Sequence, residues 1–444
     1  MKILLDISML LIPFIDFIWD IRTGIYPDIR FVYFIYLAYF LTYIKFFITA
    51  SFFRVFITEF RLFALTVLGI FLLSLYNIYA GNTTLFLFLK QFTVVSFISF
   101  TSFMFIYNNR NNLHYIIGLY LKISFIFACI AVFQEIFYII GFKPFYDFSY
   151  LMINLQQIGS FGRLLRVSSF CAEPPMFAFA LIPATFISLY CFMTGNFKFV
   201  SKTKSFIIIV ATLLTYSVIG YFSLFLSTII LLLWNFKNVK IKLFILLLLL
   251  SIFLFSLGGN GITMRIKDLI ELQQNDISQY KLKANFLNSD KKEANSSSYL
   301  ITVHFKRSID DFYENPILGK GLGSYTYTKN AIKLKKYVLA EFSSWDPFRL
   351  DGSTSLIFKI VVEFGLIGVI MLFVILYRYY IFDFKYINKF NYFVIINNAM
   401  LVYILFILIR MPFYFCNGLW IFVWLYIFSK QQFLQGNTNL NAFK

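Results

Sequence analysis

The chain is poor in charge. Only 14% of its residues are Asp, Glu, Lys or Arg, where a soluble domain carries about 25%. With 60% hydrophobic residues, this composition excludes a disordered chain, which needs low hydrophobicity and high charge. It also excludes a soluble enzyme of ordinary make-up. Histidine is nearly missing, with only His114 and His304. The four cysteines, Cys129, Cys171, Cys191 and Cys416, show no Cys-x-x-Cys spacing. Zinc and iron–sulfur sites need clustered ligands, so neither a metal nor a cofactor is expected. Acidic residues are scarce as well: 21 against 39 basic ones, a net charge of +18. In a soluble protein that excess would suggest nucleic acid. Here no nucleic-acid partner is expected, and what matters is where the charges sit relative to a bilayer.

What the chain has is apolar length. It carries 61 Phe and 30 Tyr, and its mean hydropathy is +0.77 over 444 residues. A membrane helix needs about 20 apolar residues. Such runs fall near 3–19, 31–49, 61–80, 85–107, 115–140, 174–194, 205–218, 220–235, 241–257, 355–378, 391–410 and 412–429. The pair 205–218 and 220–235 reads either as one long helix or as a tight hairpin. The expected fold is an all-α polytopic membrane protein of about twelve spans. The start, MKILLDISMLLIPFIDFIWD, holds Asp6 and Asp16 and no small-residue cleavage site, so it reads as a retained first helix.

Lys and Arg in short loops set orientation. With a cytoplasmic N-terminus, the inner loops hold Arg54, Arg61, Arg110, Lys198, Lys202, Lys204, Lys237, Lys240, Lys242, Arg378, Lys385, Lys389, Lys430 and Lys444. The short outer loops hold Arg22, Arg30 and Arg410. The chain then divides into spans over 1–140, a first outer loop at 141–173 and spans over 174–259. A large outer loop at 260–354, spans over 355–430 and a cytoplasmic tail at 431–444 follow. Long loops in compact proteins are commonly functional. The large one includes a polar tract at 288–298 and then YLITVHFKRSIDDFYENP, where Ile301, Phe305, Ile309 and Phe312 recur at helical spacing. This predicts an amphipathic outer helix lying against the membrane domain. Pro316 ends it, and Gly319, Gly321 and Gly323 turn the chain. No internal repeat supports an inverted-repeat transporter.

The candidate residues cluster in the outer segments. In GRLLRVSSFCAEPPMF, Arg163 and Arg166 stand one helical turn apart, and Glu173 precedes Pro174 and Pro175, which fix the start of the sixth span. A carboxylate at the membrane rim is costly unless paired or used. Two arginines beside it suit an anionic ligand, and a structural Glu173–Arg166 clamp is the equal alternative. In HFKRSIDDFYENPILGKGLGSY, His304, Arg307 and Asp311 share one helix face. His304 alone reads as a solvated loop histidine, and GKGLG as a tight turn rather than a phosphate loop. Arg349 and Asp351 stand just outside the tenth span, and Lys359 and Glu363 form an i,i+4 structural pair within it. Arg410 closes an outer turn, where it would snorkel, bind headgroups or meet substrate. Asp16, Lys90, Lys122, Gln134 and Glu135 are scattered over several helices and show no convergence. Cys171 and Cys416 both fall near the outer face, where a disulfide has room to form.

Taken in order, RLLRVSSFCAEPP, LLTYSVIGYFSL at 213–224, KRSIDDFYENPILGKGLGSY and TSLIFKIVVEFGLIGVI resemble the motifs of the bacterial O-antigen polymerase and ligase superfamily, over about residues 155–375. The resemblance implies a GT-C-like membrane fold and metal-independent transfer of glycan from undecaprenyl diphosphate at the outer face of the inner membrane. It implies that Arg163, Arg166 and Arg307 meet the donor diphosphate, and that Glu173 falls on the family's Glu-Pro position. It leaves the general base open among Glu173, Asp351 and His304, with Arg349 and Arg410 as further substrate contacts. The partners it implies are undecaprenyl-diphosphate-linked glycans and the lipid bilayer, with a polysaccharide chain-length regulator left open. Ligase members carry a His about nine residues before the Glu of Glu-x-Gly-x-x-Gly. Thr354 stands there in this chain, which favours a Wzy-type polymerase over a ligase. A transporter of the same lipid-linked glycan is the non-enzyme alternative.

Overall fold

The computed structural model describes residues 1–15, 20–21, 29–47, 59–148, 160–161, 164–234, 280–282, 292–294, 296–330, 354–382, 391–411, 413–416 and 418–442. The expected span at 241–257 and the candidates Arg163, Arg349 and Asp351 lie outside them.

The protein is all-α and polytopic. Its helices are α1 (Lys2–Ile15), α2 (Phe31–Phe47), α3 (Arg61–Tyr79), α4 (Leu85–Asn108), α5 (Leu113–Ile140) and α6 (Pro174–Thr194). They continue as α7 (Lys202–Leu214), α8 (Val218–Trp234), α9 (Ser296–Glu314), α10 (Leu356–Tyr379), α11 (Tyr392–Arg410) and α12 (Leu419–Ala442). All but α9 coincide with expected apolar runs, and among the described residues 6 helices are long and apolar enough to cross a membrane. The last helix continues to Ala442, past the expected boundary at 430. The runs 205–218 and 220–235 are two helices, α7 and α8, parted at Thr215–Ser217, where Tyr216 takes a left-handed φ of 43°. The core is aromatic. Trp424 packs edge-on against Phe60 and Phe103, with ring centroids 5.6 and 4.8 Å away, and α6 is buried along most of its length.

One end of the bundle collects the segments expected to lie outside. There the Cys171 thiol donates to the Phe14 carbonyl at the end of α1 (3.1 Å). Val167 N–H donates to the Leu214 carbonyl at the end of α7 (3.2 Å). The Ser355 hydroxyl donates to the Leu408 carbonyl near the end of α11 (2.9 Å). The opposite end is tied by Asn109, which donates to Asp6 of α1 (3.3 Å), and by the Tyr392 hydroxyl, which donates to the Leu113 carbonyl (3.4 Å). Cys171 and Cys416 are thiols that donate to Phe14 and Phe413 respectively, and no disulfide joins them.

Two sequence expectations are corrected. Ser160–Phe161 (β1) and Leu164–Leu165 (β2) pair as antiparallel strands, so Arg166 follows a strand rather than standing on a helical turn. Helix α9 forms as expected but buries the other face. His304, Arg307, Ser308 and Asp311 point inward, while Ile309 is exposed. Its apolar stripe meets the bundle at Phe305, whose ring lies 5.5 Å from that of Phe358 in α10. The polar face wins because the glycine turn that follows offers it hydrogen-bond partners and charges.

Candidate functional site

The site is built on a broken helix. Within α10, Gly365 adopts φ 58°, ψ −151°, which interrupts the helical ladder and releases backbone groups. In a membrane interior such groups need partners. The turn after α9 supplies them. Lys320 and Gly321 N–H donate to the carbonyls of Val362 and Glu363 (2.9 and 2.8 Å). Leu366 and Ile367 N–H donate to those of Pro316 and Ile317 (2.8 and 3.3 Å). The turn is also held from α3, where the Ser74 hydroxyl accepts from Leu322 N–H (3.2 Å). Glu363 is fully buried and locks the joint. Its Oε1 accepts from Gly323 N–H (3.1 Å), its Oε2 accepts from the Tyr414 hydroxyl (2.8 Å), and Lys359 Nζ lies 3.9 Å away. The Glu-x-Gly-x-x-Gly stretch is therefore a docking seat for the Asn-Pro-x-x-Gly-x-Gly turn.

On that seat α9 presents its buried polar face. Asp311 accepts from Lys320 Nζ (2.7 Å), the Thr328 hydroxyl (2.9 Å) and Asn330 Nδ2 (3.0 Å). Arg307 Nε lies 3.5 Å from the same carboxylate, its Nη2 donates to Thr328 at 3.5 Å, and its guanidinium stacks 4.1 Å over the Tyr325 ring. A guanidinium held by a carboxylate on one side and an aromatic face on another is fixed in orientation. Lys320 also reaches Glu314 (2.7 Å). The predicted one-face set His304, Arg307 and Asp311 thus comes together, and Tyr325, Thr328, Lys320 and Asn330 join it from the turn.

His304 is fully buried, and this corrects the expectation of a solvated loop histidine. Its Nδ1 is in hydrogen-bond contact with the Tyr325 hydroxyl at 3.1 Å, and Nε2 has no hydrogen-bond partner among the described residues. Burial, and then the charge of Arg307, pull its pKa down to about 3, so it is neutral at physiological pH.

The first loop makes a second centre. Glu173 is the residue before α6, extended at φ −143°, ψ 151°, and its carbonyl accepts from Met176 and Phe177 N–H (3.0 and 3.2 Å). Pro174 takes the first helical position, where its missing N–H costs nothing. Arg166 is half-buried. It lies within electrostatic reach of Tyr221 of α8, as Glu135 of α5 does of Tyr216 at the α7–α8 break. Arg410 is the last residue of α11. Sequence reading missed Tyr325, Lys320 and the Gln134–Glu135 pair as members of these centres. The signal for the pair was present, as two polar residues near the end of an apolar helix, but their first-loop partners Leu165 and Ser169 are 30 or more residues away.

An apolar cavity of about 630 Å³ opens among α3, α4, α10, α11 and α12, lined by Phe71, Phe92, Phe103, Trp420 and Trp424. Leu322 of the glycine turn and Tyr414, the partner of Glu363, also line it, so the cavity reaches the polar joint.

No curated protein and no solved structure matches the chain. The description of the O-antigen ligase family matches residues 205–373, which begin after Arg166. They carry the α7–α8 break, helix α9, the glycine turn and most of α10. This match supports the O-antigen ligase/polymerase superfamily for the chain, whose members are membrane glycosyltransferase-like enzymes, without singling out a polymerase.

Proposed function

We propose that the chain is a polysaccharide polymerase that joins undecaprenyl-diphosphate-linked oligosaccharide repeats at the outer face of the bacterial inner membrane. The observation that carries this reading is Arg307 of α9, oriented by Asp311 of the same helix and by Tyr325 of the turn that seats in a broken membrane helix, inside the family-matched segment. In the proposed reaction, a sugar hydroxyl of the acceptor repeat attacks the anomeric carbon of the growing chain. Undecaprenyl diphosphate leaves with the bonding electron pair. That leaving group needs charge stabilisation, which preoriented arginines supply. Arg163, Arg166 and Arg307 are assigned to the diphosphate, with Arg349 and Arg410 as further substrate contacts. The attacking hydroxyl gives its proton to a carboxylate or imidazole, drawn from Glu173, Asp351 or His304. The apolar cavity beside the glycine turn has the lining that a polyprenyl tail requires.

The proposed orientation puts both termini in the cytoplasm, as the short-loop Lys and Arg require, and both centres in the periplasm. Thr354 in place of the ligase histidine favours polymerisation. The family description itself favours the second reading, a ligase that moves finished glycan to lipid A-core or protein. A deletion strain separates them: single-repeat product indicates a polymerase, and accumulated unligated polymer indicates a ligase. Loss of every outer-face lipid-linked repeat would indicate a transporter.

A further inference from the structure

Arg166 directly follows strand β2, and something must hold that segment in place. Among the described residues, most of the side-chain hydrogen bonds that do so come from two adjacent residues near the end of α5. Glu135 Oε2 accepts from Leu165 N–H (3.0 Å). Gln134 Oε1 accepts from Ser169 N–H (2.7 Å), while Gln134 Nε2 donates to the carbonyls of Ser169 (3.4 Å) and Tyr146 (3.3 Å). Val167 N–H donates to Leu214 from the other side. Residues 165–169 are therefore fixed at both ends by α5 and in the middle by α7, with Arg166 between the fixed points. Gln134 and Glu135 are 3% and 6% exposed. Buried polar side chains in a membrane helix are costly, and their use marks a functional position.

We propose that Gln134 and Glu135 are positioning residues for Arg166: they set the first-loop strand so that its guanidinium stands where the leaving diphosphate forms. This rests on the reading that Arg166 serves the transfer reaction. The carboxyl of Glu135 uses one oxygen for the strand, and its other oxygen, Oε1, has no hydrogen-bond partner among the described residues. The role is thus that of an acceptor rather than a charge, and an amide can fill it. A displacement of about 1 Å at a reacting group can cost on the order of 10²-fold in rate, so loss of the clamp is to be read in kcat.

The test uses full-length protein in proteoliposomes with a defined lipid-linked repeat. Glu135→Leu and Gln134→Leu, inserted at wild-type levels, should lower kcat by roughly 10- to 100-fold with little change in KM. They should also speed hydrogen exchange at the Leu165 and Ser169 amides. Glu135→Gln should restore most of both. In an Arg166→Ala background, Glu135→Leu should cost little more, since the group it positions is gone. Unchanged exchange at those amides overturns the proposal. So does an undiminished effect in the Arg166→Ala background, which would make the role structural elsewhere, and so does a Glu135→Gln variant as impaired as Glu135→Leu. If exchange rises as expected but Arg166→Ala keeps full activity, the clamp stands and the functional reading of Arg166 fails.

Discussion

Gly319 and Gly365 face one another across a joint with no room for a side chain on either. A Cβ on Gly319 would stand 2.5 Å from the carbonyl carbon of Glu363, and one on Gly365 would stand 2.6 Å from the carbonyl oxygen of Ile317. Both residues also hold positive φ, 65° and 58°. Left-handed backbone costs a non-glycine residue about 1–2 kcal/mol, and here the neighbouring atoms are backbone that cannot swing aside. Gly365→Ala is therefore expected to force the glycine turn off α10 and to lower the unfolding midpoint in detergent clearly. Gly141→Ala is the control, because Gly141 also has positive φ but nothing within 4 Å. It should cost only about 1 kcal/mol. Equal losses in the two variants would show that the joint does not depend on the close approach.

Asp311 is the shared anion for Arg307 and Lys320 in a buried cluster. Removing one member of such a set leaves charge uncompensated and costs about 3–5 kcal/mol. Asp311→Ala should destabilise the α9 unit on that scale. Adding Lys320→Met should return part of the loss, because one of the stranded cations is then gone. A double-mutant cycle on thermal unfolding reads the coupling, and additivity would contradict the cluster.

The neutral, buried His304 predicts acid sensitivity. Its folded pKa of about 3 lies below the unfolded value of about 6.5. Below pH 6.5 the unfolded chain binds the proton first. The stability His304 contributes is thus fully present above about pH 6.5 and is lost as pH falls from there toward 3, by about 1.4 kcal/mol per unit. Between pH 7.5 and 4.5 the wild type should lose about 2–3 kcal/mol more than His304→Gln does. Hydrogen exchange of the α9 amides, corrected for intrinsic rate, measures it. Parallel pH profiles for the two proteins would count against a histidine held neutral.

The membrane architecture was legible in the sequence because bilayer thickness imposes a run length. Nearly every expected run became a helix within a few residues, and the span beginning at Pro174 was placed to the residue. The hydrophobic stripe of α9 was legible too, but its direction was not. In water an apolar stripe turns inward, whereas a membrane protein can leave Ile309 outward and bury Arg307 and Asp311 if partners exist. Those partners, Lys320 within a glycine turn and Thr328 and Asn330 after it, depend on the seat of that turn in the broken α10, and no local pattern announces that pairing. The setting of Arg166 was not legible for a related reason. Arg166 follows a short strand whose bonds come from Gln134 and Glu135, about 30 residues earlier.

In the proposed reaction, transfer from a polyprenyl diphosphate is driven by preoriented arginines. That role is tested most directly by purified protein in liposomes given only a defined undecaprenyl-diphosphate-linked repeat. Chains of more than one repeat and stoichiometric undecaprenyl diphosphate are expected, with Arg166→Ala and Arg307→Ala each slowed by about 10²–10³-fold in kcat at normal membrane levels. No elongation from that donor, or long chains made at the wild-type rate by both variants, would contradict it.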